Sequence, residues 1–387
     1  MRFAIALLGS GLLLAIPPRL TAEDLRDVEP NEATGSSGAV VVGDLPLAHT
    51  TQLLSVDARG VVVGKNATEQ CEKLLDQLGT MLADVGGGLD RLVKLNVYAT
   101  RLDDVAAIEK VIARRFRDGR KPAVCFVVTR LPSAEALVGL DAVSVAGKRR
   151  PARDNTKVAV LPAGSRVYVS GQAERADSLA EATRKTLEAL RVTLQHVGLN
   201  ESQIVQFKAF LRPATGAADV HAEMAKFFGT RPLPPVAFVE WDSPLPIEIE
   251  VIAAGGPAQP GEPVEYMTPP ALRASPVFSR VARINHGPTI YLSGMYGDGG
   301  DAAAQVTGIF TDMGRLLGKC GGDLRHLVKA TYYVATPEAS KALDDLRPRF
   351  YDPQRPPAAS KAKVAGTGRV GRDLTLDMIA VPAAGTR

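Results

Sequence analysis

Val167-Tyr168-Val169-Ser170-Gly171-Gln172 is a short apolar run rich in β-branched and aromatic residues, closed by a small-residue turn, and it predicts a strand. The same word returns as Ile290-Tyr291-Leu292-Ser293-Gly294-Met295, and in eroded form as Gln52-Leu53-Leu54-Ser55-Val56-Asp57. Ser55, Ser170 and Ser293 therefore recur at domain-sized intervals, the mark of an internal repeat.

The segment after each of these strands repeats as well. Leu74, Leu78, Met81, Leu82 and Val85 precede Gly86; Leu187, Leu190, Leu194 and Val197 precede Gly198; Ile309, Met313, Leu316 and Leu317 precede Gly321. Spacings of three and four place each set on one helical face, and glycine tolerates the left-handed conformation that ends a helix. A strand is predicted shortly after each glycine, over 92–98, 204–211 and 327–334, carrying Lys94, Lys208 or Lys329 and then Tyr98, Phe210 or Tyr332. A second helix is predicted over roughly 103–117, 217–228 and 338–350. A proline-marked loop, a strand and a closing strand at 140–145, 247–253 and 374–381 complete each copy.

Residues 1–22 have the layout of a secretory signal: Arg2, an apolar run from Phe3 to Ile16, and a small-residue end at Leu20-Thr21-Ala22. Export to the periplasm or exterior is expected, with no stable membrane partner, because no later stretch is apolar enough to span a bilayer. Residues 23–36 read as a flexible leader; residues 147–156 and 254–270 read as linkers. A net charge of +4 over 387 residues is weak steering for a polyanion, and Lys148-Arg149-Arg150 reads as a solvated linker, so no nucleic-acid partner is expected. Cys71, Cys125 and Cys320 lack Cys-x-x-Cys spacing, which excludes a disulfide scaffold and gives no zinc signature. The five histidines form no metal-binding pair, and neither metal nor cofactor is expected.

The order strand, helix, strand, helix, strands, with the small-Ser-Gly turn and the closing Ile247-Glu248-Ile249-Glu250-Val251-Ile252-Ala253, resembles the RidA family, also called YjgF or L-PSP. The resemblance covers 37–147, 157–255 and 275–383 and is most specific in the second copy. It implies an α+β, chorismate-mutase-like fold: three tandem domains, each a mixed β-sheet with two helices on one face. Family members are usually homotrimers with ligand clefts between subunits, so three copies in one chain imply a monomeric pseudo-trimer, its assembly made intramolecular by the linkers.

The resemblance also implies hydrolysis of reactive enamines and imines such as 2-aminoacrylate. That chemistry uses an arginine to clamp the substrate carboxylate and a carboxylate to orient water. The arginine follows Pro-Ala in the family; here those places read Pro122-Ala123-Val124, Pro234-Pro235-Val236 and Pro357-Ala358-Ala359, so it is missing three times. The glutamate of the closing strand corresponds to Gly139, Glu248 and Thr375, and an asparagine of the second helix to Glu109, His221 and Leu343. The candidate catalytic pair is Glu248 with His221. Candidate ligand-binding groups are Ser170, Gly171, Ser293, Gly294 and Lys361, the last on the strand face of the lost arginine. The expectation is a small-molecule-binding protein with reduced or altered deaminase activity; the alternatives are a non-catalytic binding or scaffold module and, last, a ribonuclease.

Overall fold

The computed structural model describes residues 25–147, 156–270 and 272–383. The expected signal over 1–22 and Lys148-Arg149-Arg150 lie outside the described residues.

An order of helix, strand, helix, strand and closing strand occurs three times, preceded by four, two and three strands in turn. The first repeat runs β1 (Leu25–Asn31), β2 (Ser36–Val42), β3 (Leu47–Thr50), β4 (Leu53–Leu54), α1 (Ala67–Ala83), β5 (Leu92–Ala99), α2 (Leu102–Arg115), β6 (Ala123–Val128) and β7 (Val138–Val145). The second repeat runs β8 (Val158–Leu161), β9 (Ser165–Gln172), α3 (Leu179–His196), β10 (Ile204–Leu211), α4 (Ala217–Phe228), β11 (Val236–Glu240) and β12 (Ile247–Gly256). The third has β13 (Val264–Met267), β14 (Val281–Ile284), β15 (Thr289–Leu292), α5 (Ala302–Lys319), β16 (Leu327–Val334), α6 (Pro337–Leu346), β17 (Ala358–Lys363) and β18 (Leu374–Ala380).

Local chemistry explains the long helices. Asn66, Ser178 and Asp301 accept the backbone N–H three residues on, capping α1, α3 and α5. Gly86, Gly198 and Gly321 end those helices with φ of 70°, 75° and 83°. In each case the next residue closes the turn, with bonds from Gly87 to Leu82, Leu199 to Leu194 and Gly322 to Leu317.

Within each repeat the strand between the two helices (β5, β10 or β16) pairs parallel to the strand after the second helix (β6, β11 or β17) and antiparallel to the closing strand (β7, β12 or β18). Alternate residues of the strand between the helices face them: Leu95, Val97 and Ala99 pack with α1 and α2, Phe207, Ala209 and Leu211 with α3 and α4, and Ala330, Tyr332 and Val334 with α5 and α6. One strand near the start of each repeat pairs outside its own repeat: β8 with β3, β14 with β9, and β2 with β15. Side chains of all three repeats consequently share two apolar layers. One contains Val40, Val143, Tyr168, Ile252, Tyr291 and Ile379, the other Tyr98, Cys125, Phe210, Trp241, Tyr333 and Ala362.

Two segments expected as leader and linker are ordered. Leu25–Asn31 pairs with β2 along its length, and Val264–Met267 pairs with β14. Both cover a strand, β2 or β14, whose backbone would otherwise be an open edge, which low hydrophobicity in the covering segment does not reveal.

Candidate functional site: the seam between the second and third repeats

Register fixes which residues correspond. Gly139 lies opposite Tyr98, Glu248 opposite Phe210 and Thr375 opposite Tyr333, so these closing-strand positions are equivalent. Leu53 opposes Leu140 as Gln172 opposes Ile249, which makes Thr51-Gln52 the counterpart of Ser170-Gly171. Ser55, four residues on, is instead tied to the Val63 carbonyl. Lys94 and Lys329 are paired alike with Ala123 and Ala358, so Cys125 and Ser360 also correspond. Their counterpart in the second repeat is Gln206 rather than Lys208, because Gln206 opposes Ile252 as Lys94 opposes Val143 and Lys329 opposes Ile379.

At the seam of repeats two and three, the Gly171 N–H donates to Ser360 Oγ at 3.0 Å. The Ser360 hydroxyl in turn bonds the Glu248 carboxylate. A Cβ on residue 171 would lie 2.0 Å from Glu248 Oε1 and 2.4 Å from Ser360 Oγ, so only glycine lets the three groups converge. Burial pushes the Glu248 carboxyl up to about 7, against the Ser360 hydrogen bond; Glu250 adds to the rise and Arg280 opposes it. A carboxyl raised toward neutrality is suited to acid–base work.

Arg280 immediately precedes β14 and reaches the seam from there. Its carbonyl accepts the Ser170 N–H, and its guanidinium lies 4.9 Å from the centre of the Phe278 ring. Arg280 Nε and Ser170 Oγ are buried there without a hydrogen-bond partner.

The other seams are closed differently. Between repeats three and one, Ser293 Oγ donates to the Ser37 carbonyl at 2.6 Å and accepts the Val124 N–H at 2.7 Å, while Gly294 N–H donates to the Val124 carbonyl. Cys125 stands where Ser360 stands in the other seam, its thiol pushed up to about 12 by burial and so kept from acting as a nucleophile. Between repeats one and two, Thr51 Oγ1 donates to the Val236 carbonyl, and Gln52 fills the glycine position by donating Nε2 to the Phe238 carbonyl at 2.8 Å.

Two expected placements are corrected. His221 does not stand beside Glu248: it packs edge-on against Phe238, 5.0 Å between ring centres, and Phe238 belongs to the helix-side core, whereas Glu248 projects from the opposite face of the sheet. Burial lowers the His221 pKa. Lys361 also turns toward the helices, where it pairs with Asp344 of α6 at 2.5 Å. Val124, Val236 and Ala359, the places aligned with the missing arginine, all pack into helix-side cores. The strand parity carrying Ser360 faces the seam; that of Ala359 and Lys361 does not.

A second polar cluster lies between the two shared apolar layers. Lys94 and Lys208 both pair with Asp377, at 3.1 and 2.9 Å, and Lys329 pairs with Glu250 at 2.9 Å. Asp141 accepts from Asn96 Nδ2 and from the Tyr98 hydroxyl. Burial alone would raise Asp377, but Lys208, Lys94 and Lys329 hold it well below the usual carboxylate range; Asp141 is raised by burial. The enclosed space is about 30 Å³, enough for a water rather than a metabolite. Among the described residues no group of three or more His, Cys, Asp or Glu is placed to hold a metal ion.

A family model described as Endoribonuclease L-PSP matches residues 31–146 and 148–255, more than half the chain. The chain belongs to the L-PSP family. Among its relatives, the RutC family protein y4sK of Sinorhizobium fredii is 33% identical over 123 residues, which is 31% of this chain and 96% of that one. The RutC family protein UK114 of Drosophila melanogaster is 32% identical over 94 residues, 24% of this chain and 67% of that one. A solved YjgF-family protein of Neisseria meningitidis covers 32% of this chain and 97% of its own, at 23% identity and a TM-score of 0.24. Rv2704 of Mycobacterium tuberculosis, of the YjgF/YER057c/UK114 family, covers 25% and 83% at 27% identity and a TM-score of 0.22. These L-PSP relatives thus match a third of this chain or less. Two seam residues of this L-PSP chain, Arg280 and Ser360, carry no signal in the sequence: the first sits in an irregular loop and the second in Ala358-Ala359-Ser360.

Proposed function

We propose that this L-PSP-family chain is a single-chain counterpart of a trimer of RidA-type subunits, and that its second seam binds a small molecule with weak or altered enamine or imine hydrolysis. The convergence of Gly171 N–H, Ser360 Oγ and Glu248 across the seam carries this reading. The other two seams lack a carboxylate at the Glu248 position, having Gly139 and Thr375 there. The pairing of β2, β8 and β14 with strands of another repeat supports the pseudo-trimer. Export through residues 1–22 is part of the proposal, and N-terminal sequencing of the mature protein from the secreted fraction tests it.

No arginine stands at the family position in any repeat, which favours binding over turnover. The purified chain is expected to hydrolyse 2-aminoacrylate poorly beside an arginine-bearing relative. A thermal-shift screen of small metabolites, repeated on Glu248→Gln, Gly139→Ala and Thr375→Val, tests the seam assignment. The expected result is a ligand whose shift is altered in the Glu248 variant and unchanged in the other two. Equal behaviour of all three overturns it, and light scattering showing a dissociable trimer of whole chains overturns the single-chain assembly.

A further inference from the structure

The three repeats also meet end-on, where β6, β11 and β17 finish. Val128, Glu240 and Lys363 pair with the equivalent residues Ala99, Leu211 and Val334, so Thr129, Trp241 and Val364, one residue on, are equivalent as well. All three are buried. Bonds between repeats close these strand ends into a ring: the Glu240 N–H donates to Thr129 Oγ1, the Asp242 N–H to the Lys363 carbonyl and the Val128 N–H to the Gly366 carbonyl, each at 2.8 Å. Against this ring lies a pocket of about 390 Å³ lined by residues of every repeat. Gly171, Glu248 and Ser360 do not line it, so it is distinct from the second seam.

Each repeat sends one cation to this pocket: Arg130 from the first, Arg212 from the second and Lys363 from the third. Only the second supplies acids, Glu240 and Asp242. Arg212 and Lys363 share Asp242, at 2.5 and 2.8 Å. Glu240 gives Oε2 to the Ala214 N–H at 2.7 Å and approaches Arg130 Nε no closer than 3.7 Å, so Arg130 is the least satisfied of the three. Three cations against two carboxylates leave one positive charge in excess. Trp241 lines the same pocket, and its Nε1 is buried without a hydrogen-bond partner. Donors arriving from three repeats suit a tetrahedral oxyanion, which offers oxygens in several directions at once, better than a planar carboxylate, which offers two in one plane.

We propose that this end pocket binds a phosphate group, free or as a small monoester, between Arg130 of the first repeat and the Arg212–Lys363 pair of the second and third. The volume exceeds that of the ion alone and leaves room for an attached organic group. Asp242 is the competitor: it holds Arg212 and Lys363 in the unliganded chain, and a bound phosphate has to share them. Because the cations are partly exposed, their attraction is screened by salt, and binding is strongest at low ionic strength. A single-chain assembly is what permits such a site, since three identical subunits could not place an arginine, an aspartate and an alanine at the equivalent positions 130, 242 and 365.

Trp241 is the one tryptophan of the chain, so its fluorescence reports on this pocket. The experiment titrates the full chain with inorganic phosphate and with glycerol phosphate, and with acetate and chloride at matched low ionic strength as controls, following that emission and, separately, the heat of binding. A saturable response to phosphate, to the ester or to both is expected, and the tighter of the two names the source. Arg130→Gln is expected to weaken binding about tenfold and Asp242→Asn to tighten it by a similar factor, while Glu248→Gln leaves it unchanged. Thermal melts confirm that each variant is folded. Tightening in Asp242→Asn is the decisive sign, because damage to the pocket can only weaken binding. No saturable response to either phosphate, an equal response to acetate or chloride, unchanged binding in Arg130→Gln, unchanged or weaker binding in Asp242→Asn, or loss of binding in Glu248→Gln overturns the proposal.

Discussion

A methyl group on Gly171 would lie 2.0 Å from Oε1 of Glu248, closer than any nonbonded contact allows. The glycine and the carboxylate therefore require each other's present shape. Gly294, its counterpart in the next seam, would meet Thr375 Oγ1 at 3.0 Å, Cys125 Sγ at 3.2 Å and the Cys125 Cα at 3.3 Å, contacts that shifts of a few tenths of an ångström relieve. Gly171→Ala should cost about 1–3 kcal/mol and displace Glu248, whereas Gly294→Ala should cost under about 1 kcal/mol. Urea denaturation of the two variants measures the difference, and equal costs contradict the close approach.

Asp377 is the acid on which the central cluster turns, because Lys94 and Lys208 both depend on it. Asp377→Asn leaves two buried ammonium groups without their counterion, and a loss of about 3–5 kcal/mol is expected. Asp141→Asn keeps an acceptor for Asn96 and removes a carboxylate that burial already disfavours, so about 1 kcal/mol or less is expected. Denaturation midpoints at pH 7 order the two variants; a milder effect at Asp377 would mean that its ion pairs add little.

Much of the fold is legible in the sequence because its signals are local. Helical spacing and the glycines at 86, 198 and 321 mark three helices, and the caps and positive φ values are the physical reasons. Errors arise where parity is the only guide. Ser55 and Thr51 are four residues apart and Lys208 and Gln206 two, so in each pair both alternatives keep the same strand alternation, and only the ladder distinguishes them. Lys361 shares its parity with Ala359 as expected, but the sequence does not say that this parity faces the helices. His221 fails likewise, since helix α4 covers the face of the sheet opposite Glu248. Arg280 belongs to no periodic segment, and only the fold brings it to the seam.

Two buried groups tilt stability against pH in opposite senses. His49 donates Nδ1–H to Gln206 Oε1, and burial lowers its pKa from 6.5 to about 4. The unfolded chain then binds the extra proton between those values, so His49 makes stability rise from about pH 4 to 6.5. Glu248 is raised by burial from 4.5 to about 7, so here the folded chain binds the extra proton and stability falls as pH rises between those values. In wild type the two slopes, each at most about 1.4 kcal/mol per pH unit, largely cancel between pH 4.5 and 6.5. Glu248→Gln should expose a stability that rises across that window, and His49→Phe one that falls, whatever the offset each substitution adds. Denaturation at half-unit steps of pH reads both slopes. Parallel profiles for the two variants would show that these groups do not govern the pH dependence.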